Sequence, residues 1–124
     1  MKLISHHVLI WVSDMERAVR FYTETLGLPL KSKSPTFSVV AGDKFWISLH
    51  LSDKPVTVEE RRKMQGPIVN FRPGDETEDV DTAYGELKNQ GVEFCQEPFW
   101  AAPNVRVAEF YDSEGNKFSL SSAD

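Results

Sequence analysis

The chain has 124 residues and a mass of 14.1 kDa, enough for one compact domain with a real core and too short for two large ones. Apolar residues make up 40% and charged residues 27%, with eight Phe and three Trp, a composition that excludes a disordered chain. Fourteen Lys and Arg against nineteen Asp and Glu give a net charge of −5 without a basic stripe, which argues against nucleic acid as a partner. The single cysteine, Cys95, leaves no internal disulfide and no Cys-based zinc site, and is read as a buried small hydrophobe rather than a nucleophile.

Leu3 to Val12 is rich in β-branched and aliphatic residues and predicts a buried strand. It is broken by Ser5, His6 and His7, is too short to span a bilayer and is followed by no small-residue cleavage site, so the expectation is a soluble, cytoplasmic protein with no membrane partner. Ser13 and Glu16 have capping-box spacing and open a helix. Met15, Ala18, Val19, Tyr22 and Leu26 continue it at the 3.6-residue period until Gly27 stops it.

Two extended segments follow, Phe37 to Ala41 and Lys44 to Leu51, joined by a Gly42-Asp43 turn. Thr57 and Glu60 repeat the capping-box spacing, and the charged run Glu59 to Lys63 predicts a short solvated linking helix, with Arg61-Arg62-Lys63 as its wet face.

The order then recurs. An apolar segment Pro67 to Phe71 and an acidic loop Gly74 to Glu78 precede Val80, Ala83, Tyr84 and Leu87, the positions obtained by adding 65 to Met15, Ala18, Val19 and Tyr22. Gly91 closes this helix; Val92 to Cys95, Val105 to Tyr111 and Lys117 to Ser121 read as strands, with a turn over Asp112 to Asn116. Gly42-Asp43-Lys44-Phe45 matches Gly115-Asn116-Lys117-Phe118. The chain therefore reads as a single domain, 1–124, with an internal repeat: module one about 1–52, a linker about 53–66 and module two about 67–124. Neither half can bury both faces of its sheet alone, so the expected fold is α+β, two tandem βαβββ modules forming an open, curved mixed sheet around a cleft.

The residues His7-Val8, Ser13 to Ala18, Phe21-Tyr22, Leu26-Gly27-Leu28 and the stretch Tyr111 to Leu120 carry a resemblance over essentially the whole chain. It resembles the vicinal oxygen chelate superfamily, which includes glyoxalase I, bleomycin resistance proteins, fosfomycin resistance enzymes and extradiol dioxygenases. The resemblance implies paired βαβββ modules, a homodimer and, in many members, one divalent metal (Zn, Ni, Mn or Fe) held by one side chain from the first and one from the last strand of each module. That metal acts as a Lewis acid on adjacent substrate oxygens.

Carried over residue by residue, the first ligand falls on His7. Strand alternation sets His7, Leu9 and Trp11 opposite Val8, Ile10 and Val12, and Trp46, Ser48 and His50 opposite Ile47, Leu49 and Leu51. His7 and His50 are thereby expected to face the cleft, with Ser48 as the other register for a ligand and His6 on the aliphatic side. In module two the match gives Pro67 and Ser119, neither a good cation donor.

The preferred reading has no cofactor: His7 and His50 are polar and acid/base groups in a pocket walled by Trp11, Trp46, Ser48, Phe99 and Trp100, with Arg106 available to an anionic oxygen. Phe99 and Trp100 are expected in a Pro-bounded loop, Pro98 to Pro103. The ligand is then a small aromatic or amphipathic molecule. The alternative is a divalent-metal lyase, thiol transferase or dioxygenase with His7, His50 and Glu109 as a rearranged set, and a third reading is metal-free acid/base catalysis. No nucleophile elbow, phosphate loop or zincin motif is present.

Overall fold

The structure is a computed structural model that describes residues 1–42, 44–74 and 79–122. Asp43 of the expected first turn and residues 75–78 of the expected acidic loop lie outside the described residues. The chain divides into two compact units, Met1–Thr57 and Val58–Asp124.

In the first unit β1 (His7–Val12) leads into α1 (Met15–Arg20), which continues as a π-helical turn over Phe21–Thr25, followed by β2 (Leu30–Ser32), β3 (Phe37–Ala41) and β4 (Trp46–Leu51). The sheet order is β1-β4-β3-β2, with β1 parallel to β4 and the other pairs antiparallel. The second unit opens with α2 (Val58–Arg62) and then repeats the order as β5 (Val69–Phe71), α3 (Val80–Asn89), β6 (Phe94–Ala102), β7 (Val105–Tyr111) and β8 (Lys117–Ser121). Its sheet is ordered β5-β8-β7-β6 with β5 parallel to β8. The fold is α+β, as the repeat predicts, with one four-stranded mixed sheet in each unit.

α1 and α3 each start where a carboxylate accepts a free backbone N–H. Asp14 accepts from Arg17 N and Asp79 from Thr82 N. The cap of α1 is therefore Asp14, one residue after the predicted Ser13, whose hydroxyl donates instead to the Val56 carbonyl at 3.2 Å. A charged acceptor at a helix N-terminus gains from the helix dipole as well as from the hydrogen bond, which favours aspartate there. Gly27 and Gly91 adopt positive φ, 74° and 91°, and end the helical segments as expected.

One face of each sheet is the core. In the first unit Ile10, Val12, Val40, Ile47 and Leu49 are buried together with Met15, Ala18, Val19 and Tyr22 from the helical segment. In the second, Phe94, Phe110, Phe118 and Phe71 form a ladder with ring centroids 5.6, 5.8 and 5.7 Å apart, above which α3 buries Val80 and Ala83.

Four sequence expectations need correction. Strand β1 begins only at His7, and Leu3 and Ile4 are 83% and 85% exposed, since nothing pairs with them. Pro98 to Ala102 is strand rather than loop: β6 is the edge of its sheet, where a missing N–H costs no ladder bond, and its pairing with β7 shifts register on either side of the proline. Cys95 is exposed rather than buried, because its thiol lies with Glu109 Oε2, at 4.0 Å, on the side of the sheet away from the phenylalanine ladder. Finally, Arg61 and Arg62 are half-buried rather than solvated. The Arg62 guanidinium meets Glu93 at 2.6 Å and lies 4.7 Å over the Tyr111 ring, so α2 is fastened to the second unit.

On the helix side of the second sheet, Arg106 forms a two-point pair with Asp81 of α3, at 2.9 Å for both contacts. The hydrogen bond from Arg106 holds the Asp81 carboxyl below its ordinary range, against a smaller opposing effect of burial. A depressed folded value means that the pair stabilises the fold above the unfolded carboxylate range, near 3.8, and loses that contribution as pH falls through the lower folded value. Asp81→Asn is thus expected to lower the thermal midpoint at pH 7 and to match the parent protein in strong acid; equal midpoints at pH 7 would show that the pair is inert, as many exposed pairs are.

Candidate functional site

The parallel ladder of β1 and β4 sets His7 opposite Trp46, Leu9 opposite Ser48 and Trp11 opposite His50. The antiparallel ladder of β3 adds Phe37 opposite His50 and Val39 opposite Ser48. Directly paired residues point to one side of a sheet. His7, Leu9, Trp11, Phe37, Trp46, Ser48 and His50 therefore share the face away from α1, as strand alternation predicts for the five of them singled out from the sequence.

This face has a small floor and aromatic ends. Ser48 is 2% exposed, and its hydroxyl donates to the Val8 carbonyl at 3.4 Å. At one end the His50 ring meets the edges of Phe37 and Trp11, at centroid distances of 4.5 and 5.8 Å. At the other end Trp46 contacts the His6 ring at 5.3 Å and carries Lys31 Nζ 4.3 Å above its plane. Trp11 remains 48% and Trp46 39% exposed, although each is large and apolar. His6 does not sit on the aliphatic side as expected: it precedes β1, is exposed, and lies beside His7.

The equivalent face of the second sheet is polar. Pairing lines up Gln96, Glu109, Ser119 and Asn70 in one row across β6, β7, β8 and β5. The Ser119 hydroxyl donates to Asn70 Oδ1, and Glu109 stands 3.9 Å from Lys117 Nζ and accepts from the Cys95 thiol. Burial and, after it, the adjoining Cys95 thiol raise the Tyr111 hydroxyl above the usual phenol range. Phe99, opposite Val107, belongs to this side. Trp100 and Arg106 do not: they are paired with each other on the side where Arg106 meets Asp81, with the guanidinium 5.1 Å over the indole. Asn70 and Gln96 escaped the sequence reading because only strand pairing ties them to Glu109 and Ser119.

Two open grooves of about 490 and 480 Å³ lie elsewhere, one along Asp14, Glu16, Lys33 and Leu51, the other beside Trp100, Pro103 and Asn104. Neither is lined by a histidine.

Residues 4–120 match the family model of the Glyoxalase/Bleomycin resistance protein/Dioxygenase superfamily. The chain belongs to the glyoxalase/bleomycin resistance protein/dioxygenase superfamily. It is similar to the uncharacterized protein YraH of Bacillus subtilis (strain 168), 29% identical over 97% of each chain. Among solved structures it is similar to UcmS2, at 28% identity and a TM-score of 0.76 over 99% of this chain and 100% of that one. The fosfomycin resistance protein FosX of Listeria monocytogenes shares the fold at 18% identity and a TM-score of 0.78, covering 100% of this chain and 96% of that one. One FosX structure contains Mn(II).

Whether the glyoxalase-superfamily metal would fit is a matter of which donors occupy the ligand positions here. Ser119, the third residue of β8, and Ser48, the third of β4, hold equivalent places: each is buried and each lies between a parallel and an antiparallel neighbour. Adding 71 to Ser48 gives Ser119, so the ladder selects Ser48 over His50 as the β4 position. It also makes Leu9 the counterpart of Asn70 and, two residues earlier in each, His7 the counterpart of Ile68 rather than of Pro67. The four positions thus read His7, Ser48, Ile68 and Ser119. One imidazole, two neutral hydroxyls already engaged in hydrogen bonds and an aliphatic chain are a poor set for a divalent cation. Nor do His7 and His50 converge, since four residues of strand, about 13 Å, separate their rows. Among the described residues no three His, Cys, Asp or Glu side chains gather as a metal would require, and no helix is long and apolar enough to cross a membrane.

Proposed function

We propose that the chain binds a small planar aromatic or amphipathic molecule against the His7–His50 face of the first sheet, without a complete side-chain metal site. The observation that carries this reading is the pair of aromatic ends around a small polar floor. Trp46 with His7 and Trp11 with His50 and Phe37 stand in rows about 13 Å apart along the strands. Once the thickness of the rings is taken off, that spacing suits one or two fused rings, and edge and face contacts of this kind contribute about 0.5–1.5 kcal/mol each. His7 and His50 supply hydrogen bonds to polar substituents and, if the molecule is transformed, groups able to move a proton. The exposed tryptophans further support a homodimer, for which light scattering should return about twice 14.1 kDa.

Tryptophan quenching by a panel of one- and two-ring aromatic acids and phenols tests the reading. Binding is expected to weaken about tenfold in Trp11→Ala and in His50→Ala, the loss of one or two ring contacts, and to be unchanged in Trp100→Ala. Equal losses in all three variants, or quenching by no compound, would remove the basis for the site. The metal half of the reading is tested separately: stoichiometric Zn, Ni, Mn or Fe in protein purified without chelator, lost in both His7→Ala and Glu109→Ala, would overturn it.

A further inference from the structure

Among the described residues, the four strands of the first sheet contain no Asp or Glu and a single Lys or Arg, Lys31 of β2. Leu30 stands opposite Val40 and Ser32 opposite Val39, so two residues of β2 span one step of β3, and Lys31 is the extra residue of a bulge. A bulge re-aims the side chain it carries. Here that side chain crosses β3, where Ala41, the partner of Trp46, is small enough to let it pass, and its Nζ stands 4.3 Å over the Trp46 ring. Lys33, two residues on, is paired with Glu16 at 3.1 Å. Lys31 is exposed and meets no carboxylate among the described residues. An ammonium has three N–H donors, and those turned away from the indole stay open to an acceptor. The surrounding charge favours the same visitor, since Met1–Thr57 holds seven Lys and Arg against five Asp and Glu in a chain whose net charge is −5.

We infer that Lys31 is a specificity-determining residue of the aromatic face and that the molecule bound there is a planar aromatic carboxylate. The inference rests on the small-molecule reading above and narrows it to one ligand class. The carboxylate lies at the Trp46 end, where Lys31 Nζ pairs with it, and the ring extends over the Ser48 floor toward Phe37, Trp11 and His50. Trp46 holds the ammonium over its electron-rich face, so the cation is already placed when the ligand arrives and less side-chain freedom is lost on binding. A neutral aromatic finds the same rings but gives Lys31 no partner. A cationic one meets a like charge that no acid in the sheet offsets.

The test is calorimetric titration of the full-length protein, at neutral pH and low salt, with naphthoate and with naphthamide, which share a ring system and differ in charge. Naphthoate is expected to bind about fivefold more tightly, as a half-exposed ion pair allows. Lys31→Gln should bind both compounds with the affinity of the amide, Lys31→Arg should restore the preference, and Lys33→Gln should leave it intact. The amide affinity also checks that each variant is folded. Added salt should shrink the preference in the parent protein without weakening the amide. Equal binding of the two compounds by the parent protein, or a preference that survives Lys31→Gln, would overturn this inference and leave the aromatic site standing. Binding of neither compound, or amide binding indifferent to Trp11→Ala, would instead remove the aromatic site and this inference with it.

Discussion

Gly115→Ala is expected to lower the unfolding free energy by about 2–6 kcal/mol, with the loss read by urea titration followed by circular dichroism. Two costs combine. Gly115 has a φ of 90°, a backbone conformation that a side chain strains by about 1–3 kcal/mol. A Cβ there would also be driven into the Val58 carbonyl oxygen and against Arg61 Cβ, backbone and stem of α2 that cannot rotate away, and overpacking of this kind costs about 1–3 kcal/mol more. The turn itself is firmly built, since Asp112 accepts from Glu114 N, Asn116 N and Asn116 Nδ2 at 2.8, 2.8 and 2.9 Å, and so it does not yield easily. Gly27→Ala is the control: its φ is similar, at 74°, but no atom lies within 4 Å of the added carbon, and only the conformational part should appear. Equal losses in the two variants would show that α2 does not press on the turn.

Phe110→Ala should cost about 3–5 kcal/mol, the usual range for removing a fully buried aromatic ring and leaving a cavity. Phe110 has no exposed surface and is the central rung between Phe94 and Phe118. Phe37→Ala removes the same number of atoms from a ring that is 40% exposed, so its stability loss should be clearly smaller while aromatic ligands bind more weakly. The comparison separates an aromatic that holds the fold from one that lines the site. A Phe37→Ala protein as unstable as Phe110→Ala would mean that the first sheet's open face is structural.

The fold was legible because its signals are local or periodic. Apolar spacing placed α1 and α3, glycines marked their ends, and the recurrence of Met15, Ala18, Val19 and Tyr22 at a distance of 65 residues exposed the duplication before any pairing was known. Strand alternation also assigned His7, Trp11, Trp46, Ser48 and His50 to a common face, since side-chain direction within a strand depends only on parity. Edges escaped the same reading. β2 is three residues long, and β6 runs through a proline that would have excluded a central strand.

Register was the other thing the sequence left open. Matching Phe45 with Phe118 by their Gly-x-Lys-Phe settings suggests one alignment of the two halves, but Ile47, two residues away, holds in its own sheet the place that Phe118 holds in the other. The ladders thus make Ser48 the counterpart of Ser119, where that match gives Trp46; separately, the β1–β4 and β5–β8 registers make Ile68 the counterpart of His7, and pairing within the second sheet joins Asn70 and Gln96 to Ser119 and Glu109. The two-residue shift between β4 and β8 preserves parity, so no count of alternating residues could have detected it.

Composition, period and turn residues therefore determined that this chain is a duplicated βαβββ protein with histidines and tryptophans on one face of its first sheet. Only the tertiary structure decided which residues stand opposite one another, that Arg106 belongs to Asp81, and that His6 turns back on His7. The physical reason is that a strand's own sequence fixes the side to which its residues point, whereas hydrogen bonding to a neighbour distant in the chain fixes what they meet.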